Sequence, residues 1–78
     1  MDLKKLPGKK IRLVSKNTGK VYIGYASDYI FPEDNEPEGI AAIGIDNPII
    51  DGQKSDMLID FNENEIASIE IIEWNITA

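Results

Sequence analysis

The stretch IRLVSKNTGKVYIG, residues 11–24 of this 78-residue chain, decides the fold. Ile11 and Leu13 alternate with charged neighbours, which predicts a half-buried strand over residues 9–15. A turn with Gly19 at a position suited to positive φ follows this strand. Alternation resumes after the turn, so residues 20–29 are predicted to form the second arm of a β-hairpin.

A glycine inside the second predicted strand has its own structural meaning. Gly24 interrupts the alternating pattern, and a glycine within a strand commonly marks a bulge or a sharp bend, as at the corner of a barrel. In the phase that we assign to this strand, Tyr25 points into the core, while Tyr22 and Tyr29 are half-buried.

Three further short strands are predicted, over residues 40–46, 56–61 and 66–74. Asn47-Pro48 and Asp51-Gly52 punctuate the connection between the first two of these, and residues 62–65 form a tight turn or a single turn of 3₁₀ helix. The inward-facing residues are predicted to be Ile43, Ile45, Met57, Ile59, Phe61, Ile69 and Ile71.

No segment has a sustained helical period, so the sequence predicts an all-β protein. Five short strands with frequent turn signals are typical of a small five-stranded antiparallel barrel of the SH3-like type. Closure also follows from physics, because an open sheet leaves two unpaired edges. We expect one domain over residues 1–78, with a leader over 1–8, the barrel over 9–73 and a tail over 74–78.

Composition disfavours most enzyme classes. The chain contains neither Cys nor His, which removes the usual zinc, iron–sulfur and haem ligand sets and the common nucleophilic dyads. No phosphate-binding or dinucleotide-binding glycine motif is present, and a small filled barrel offers no cleft for acid–base chemistry. We therefore expect a non-enzymatic protein without a cofactor or a metal.

An acidic loop over residues 31–39 contains four carboxylates. Glu33, Asp34, Glu36 and Glu38 could ligate a hard cation, because Ca²⁺ and Mg²⁺ take oxygen ligands. Their spacing fits no known loop signature. We interpret the segment as a solvated loop.

The charge distribution is uneven. The net charge is −6, yet residues 1–20 carry seven of the eight basic residues and a single acid. The acidic total disfavours a generic nucleic-acid binder, and the basic segment is either an interaction arm or the solvent face of the first strand. No stretch has the length of a membrane span or of a signal-peptide core, so a cytoplasmic protein is expected.

Residues 11–24 resemble the first half of the Sm/LSm signature, which has a glycine in the first hairpin turn and another five residues later, at the bend of a long second strand. Gly19 and Gly24 match both positions. The segments around Phe61 and over residues 65–71 are similar to the closing turn and last strand of a small SH3-like barrel. The resemblance covers residues 9–73 and extends to small uncharacterised Sm-like proteins of low-GC Gram-positive bacteria, which implies a bacterial protein but no established activity. Our leading hypothesis is a binding or assembly module.

The resemblance implies uridine-rich RNA as one ligand, but the motifs for it depart from the family pattern. Asp28 is too early for the family's Asp–aromatic–Asn constellation, Asp34-Asn35 falls in the acidic loop, and no Arg-Gly is present. The aromatic cluster of Tyr22, Tyr25, Tyr29 and Phe31 is a stacking platform for bases, a socket for a peptide or part of the barrel structure. The candidate RNA-contacting residues are Lys9, Lys10, Arg12, Tyr22 and Tyr29, joined by Lys4 and Lys5 at the basic end.

The last predicted strand is apolar on both faces. Ile69, Ile71, Ile72 and Trp74 are candidates for an association edge, because an apolar outer face suggests a strand that pairs with a partner. Sm-type rings associate by pairing the fourth strand of one subunit with the fifth strand of its neighbour, which also implies self-association. Alternatively, Trp74 and Ile76 fold back over the open end of the barrel.

Overall fold

A computed structural model describes residues 2–37 and 39–73. These residues form six antiparallel strands, which confirms the all-β prediction, and three single turns of 3₁₀ helix, which cover Leu3–Lys5, Pro32–Asp34 and Glu63–Glu65. The strands are β1 (Lys10–Ser15), β2 (Val21–Ile30), β3 (Ala42–Ile50), β4 (Gln53–Lys54), β5 (Leu58–Asn62) and β6 (Ile66–Glu73).

The strands form one sheet in the order β4-β3-β2-β1-β6. Strand β5 also pairs with β3, at residues 42–46, whereas β4 pairs with residues 49–50 of the same strand. The predicted hairpin is therefore β1 and β2, and Gly19 has the expected positive φ of 73° in the turn between them. The sheet has six strands rather than the predicted five. Within residues 2–37 and 39–73, β5 and β6 do not pair, so the predicted closure into a barrel is not observed.

The additional strand arises because the strand that returns along β3 is split. Asn47 has a φ of 49° and Pro48 has no N–H to donate, so β3 bulges there and continues to Ile50 instead of ending at residue 46. Two hydrogen bonds span the irregularity: the N–H of Asn47 donates to the Met57 carbonyl at 3.1 Å, and the N–H of Ser55 donates to the Pro48 carbonyl at 2.9 Å. Met57, which was predicted to face inward, lies in this interruption and is 62% exposed.

Strand β2 has the opposite phase from the one predicted. Gly24 and Ala26 face the core, Tyr22 packs against it, and Tyr25 is 47% exposed, so the prediction of a buried Tyr25 was wrong. The reason is steric: a Cβ at position 24 would lie 2.9 Å from Cγ2 of Ile45 and 3.2 Å from Cα of Pro48. Only small residues fit where β3 passes this closely, and they fix the phase of β2 from Tyr22 to Ala26, before the bulge at residues 27–28.

The core lies against the inner face of the sheet. Ile11, Leu13, Ile43 and Ile45 are fully buried there, as predicted, and Phe61 contacts the ring of Tyr22 edge-on at 4.8 Å between centroids. The partly buried side chains packed against this core are Tyr22, Tyr29, Ile59, Ile69 and Ile71.

The leader is part of the core. Leu3 and Leu6 are buried in the same cluster as the strand residues. Backbone hydrogen bonds hold the segment to β2: the N–H of Gly8 donates to the Ala26 carbonyl, and the N–H of Ala26 donates to the Lys9 carbonyl, both at 2.9 Å. Residues 2–8 therefore pack against the core and are held to β2.

The tight turn predicted over residues 62–65 is present as the 3₁₀ turn between β5 and β6. The Asn62 side chain accepts hydrogen bonds from the N–H groups of Asn64 and Glu65, and the Glu65 carboxylate accepts from the N–H of Asn62 at 3.0 Å. This reciprocal capping box satisfies the free donors of the turn.

Candidate interaction surfaces

The sheet has a free edge on each side in the part of the chain that the structure describes. Strand β6 pairs with β1 alone on one side, and β4 and β5 each pair with β3 alone on the other. An unpaired edge carries a row of backbone donors and acceptors that can pair with another chain. These two edges are therefore the first candidates for an interaction site.

The four candidate association residues of the last strand differ in position. Ile69 and Ile71 are partly buried and pack against the core. Ile72 lies at a register irregularity between β6 and β1 and is 44% exposed. Trp74 lies outside the described residues, as does the alternative in which Trp74 and Ile76 cover the barrel end.

A groove of about 320 Å³ lies where β6 meets the leader. Its apolar lining comes from Leu6, Ile69 and Ile71, and its charged lining comes from Asp2, Lys5 and Glu70. Ile69 and Ile71 thus contribute both to the core and to an accessible apolar surface beside a free edge.

The other free edge also exposes apolar side chains. Leu58, at the start of β5, is 52% exposed, and the adjacent Met57 is more exposed still. This surface was not predicted from the sequence, because Met57 was assigned to the core.

The candidate RNA-contacting residues do not share one surface. Lys10 and Arg12 alternate with the buried Ile11 and Leu13, so they lie on the outer face of β1, whereas Tyr22 and Tyr29 pack against the core. Arg12 forms an ion pair with Glu70 of β6, with 3.6 Å between Nη1 and Oε1. The Lys9 ammonium donates a hydrogen bond to the Lys5 carbonyl.

A different aromatic group lies next to the basic end. Phe31 is 46% exposed, its ring meets that of Tyr29 edge-on at 4.9 Å, and the Lys4 ammonium lies 5.9 Å from its centroid. A cation over an aromatic face is a favourable contact. Phe31, rather than Tyr22, is thus the ring that a ligand could reach beside the leader lysines.

The outer face of β2 forms a second groove, of about 290 Å³. Ile23, Tyr25 and Ile49 give it an apolar floor, with Lys10 on the β1 side and Asp46 on the β3 side. This surface was not predicted from the sequence, because the phase assigned to β2 placed Tyr25 in the core.

Among the described residues, no group of three or more acidic side chains is placed to hold a metal ion. The one buried side-chain oxygen without a hydrogen-bond partner there is Oγ of Ser27, on a bulge of β2 that faces Gly44. None of the helical turns in the described part of the chain has the length or apolar character needed to cross a membrane.

No family model matches this chain, and no curated protein matches it either.

Proposed function

We propose that this chain is a non-enzymatic binding and assembly module of the Sm-like, SH3-like type with an open sheet, and that copies of it associate through the free edges of β5 and β6. The observation that carries the proposal is the presence of two free edges on one sheet, each beside exposed apolar side chains.

Strand β2 supports the fold type. In the Sm-like proteins that this chain resembles, a long second strand bends at a glycine. Here β2 is ten residues long, and Gly24 lies at a close approach of β3. The split of the fourth strand into β4 and β5 departs from the five-strand pattern, although both parts still pair with β3.

The two edges differ from each other, so pairing β5 of one copy with β6 of the next is a heterologous contact. Such contacts generate closed rings when the rotation closes and filaments when it does not. The apolar groove along Leu6, Ile69 and Ile71 would receive side chains from the neighbouring β5 edge, such as Leu58. Backbone pairing provides the affinity in this mode, and the pockets beside the edge provide the specificity.

The test is the solution mass measured by light scattering over a range of concentrations. We expect a discrete assembly larger than a dimer, against 8.7 kDa for one chain. Leu58→Ser and Ile72→Ser, both at exposed positions, should shift the mass toward smaller species while the circular dichroism spectrum is unchanged. Asn17→Ser, in the exposed turn between β1 and β2 and on neither edge, is the control. An 8.7 kDa species at every concentration, or an assembly that survives both edge substitutions, would contradict the proposal.

A second candidate function is RNA binding at the basic end of the molecule. The observation that favours it is the exposed Phe31 ring with Lys4 beside it, since bases stack on accessible aromatic rings next to positive charge. Titration with oligo-uridine should then show a log–log salt slope of about −0.7 for each phosphate contact. Phe31→Ala should weaken binding, and Tyr25→Ala is the control. The absence of binding at low salt would exclude this function.

A further inference from the structure

The outer face of β2 presents apolar side chains that neither the core nor the free edges require. Tyr25 is nearly half exposed and Ile49 is 36% exposed. Ile23 is the ladder partner of Ile49 and belongs to the same groove. A single antiparallel sheet usually keeps its outer face polar, so an apolar floor at the centre of this face indicates a contact surface.

Charges flank this apolar floor on opposite sides. Tyr25 has Lys10 of β1 as its ladder partner on one side and Asp46 of β3 on the other. Both side chains line the same groove. The surface therefore runs from positive to apolar to negative across three neighbouring strands.

This arrangement is complementary to itself. A two-fold axis that runs parallel to β2 and passes over Tyr25 places the β1 side of one copy against the β3 side of the other. Lys10 of each copy then lies opposite Asp46 of the other copy, which makes two such pairs. A two-fold axis across the strands would instead place like charges together. An isologous contact needs a surface that fits itself, and the charges select one of these two orientations.

We propose that the groove around Tyr25 is a dimerisation surface and that its occupant is a second copy of this chain. The two copies dock face to face, so that the Tyr25 side chain of each copy contacts the groove of the other. Tyrosine suits this role because its ring supplies a large apolar contact while its hydroxyl stays near water. This contact is separate from the β5–β6 edge contact, and neither depends on the other.

Sedimentation equilibrium over a wide concentration range tests the proposal. The mass of the wild-type chain should show a two-fold step as the concentration rises. Tyr25→Ser should raise the dissociation constant of this dimer at least about tenfold. Leu58→Ser is the matched control, since it removes an exposed apolar side chain from a free edge and should leave the two-fold step in place. The edge variants and the face variant thus report on different contacts.

A charge exchange tests the orientation. Asp46→Lys should abolish the dimer because it places lysines against each other, and the double variant Lys10→Asp with Asp46→Lys should restore it. Circular dichroism establishes that each variant is folded. The proposal is overturned if the wild-type chain shows no two-fold step, if Tyr25→Ser leaves that step unchanged, or if a folded double variant stays undimerised.

Discussion

Gly24 of β2 and Ile45 of β3 approach each other so closely that a Cβ on the glycine would lie 2.9 Å from Cγ2 of the isoleucine. Ile45 is fully buried, and backbone atoms of β3 lie at 3.2 and 3.3 Å from the same point. A methyl group at position 24 therefore has no flexible neighbour that can move away.

Replacement of this glycine should destabilise the sheet. Gly24→Ala is expected to lower the free energy of unfolding by about 1–3 kcal/mol, the usual cost of overpacking a close-packed interior. Urea unfolding followed by circular dichroism measures the change. An unchanged unfolding midpoint would mean that β2 and β3 are not this close in solution.

The second close approach concerns Gly44, which has polar neighbours. A Cβ there would lie 2.7 Å from Oγ of Ser27 and 2.9 Å from Oδ1 of Asp60. Gly44→Ala should thus destabilise the fold by about 1–3 kcal/mol. Asp60 is exposed and can move, so the Ser27 hydroxyl is the main obstacle.

A double-mutant cycle isolates that hydroxyl. Ser27→Ala removes a buried oxygen without a partner, so the single variant should be near neutral or slightly stabilising. Combined with Gly44→Ala it should recover most of the lost stability, with a coupling energy of at least about 0.5 kcal/mol. Additive effects of the two substitutions would show that the hydroxyl is not what a methyl group at position 44 meets.

The leader should contribute as much stability as a core strand. Leu6 is buried in the main cluster, and truncation of a buried leucine to alanine costs about 2–5 kcal/mol. Leu6→Ala should therefore lower the unfolding midpoint strongly, whereas Lys5→Ala, at an exposed neighbouring position, should change stability by less than about 0.5 kcal/mol. Equal effects of the two variants would show that the leader does not pack as described.

The turn between β5 and β6 offers a test of local stability. Asn62→Ala removes the acceptor of two N–H groups and should cost about 1 kcal/mol, as for other caps. Asn62→Asp keeps the acceptor and should retain most of the stability. Asn64→Ala, in the same exposed turn, is the control, and a loss as large as that of Asn62→Ala would argue against the capping box.

Much of the strand pattern could be predicted from the sequence because alternation reports the two faces of a sheet. Ile11 with Leu13, and Ile43 with Ile45, were assigned correctly in this way. The phase of β2 could not be predicted, since both of its faces carry apolar residues and the packing of β3 against Gly24 decides between them. For this reason the groove around Tyr25 was not predicted.

Two other features depend on tertiary structure and leave little trace in the sequence. Pro48 reads as the end of a strand, yet β3 continues past it through a bulge that hydrogen bonds from the returning chain hold in place. The sequence of the leader looks like that of a charged, exposed segment. The burial of Leu3 and Leu6 could not be predicted, because it depends on packing against core residues that lie far along the chain.

The position of β1 between β2 and β6 has a consequence for synthesis on the ribosome. The partner of its second edge is the last strand of the sheet, so this edge stays unpaired until residues 66–73 have left the exit tunnel. At about 5–20 residues per second, this interval lasts a few seconds. During that time the lysines and the arginine of the first 20 residues keep the nascent hairpin charged, which opposes its pairing with other nascent chains.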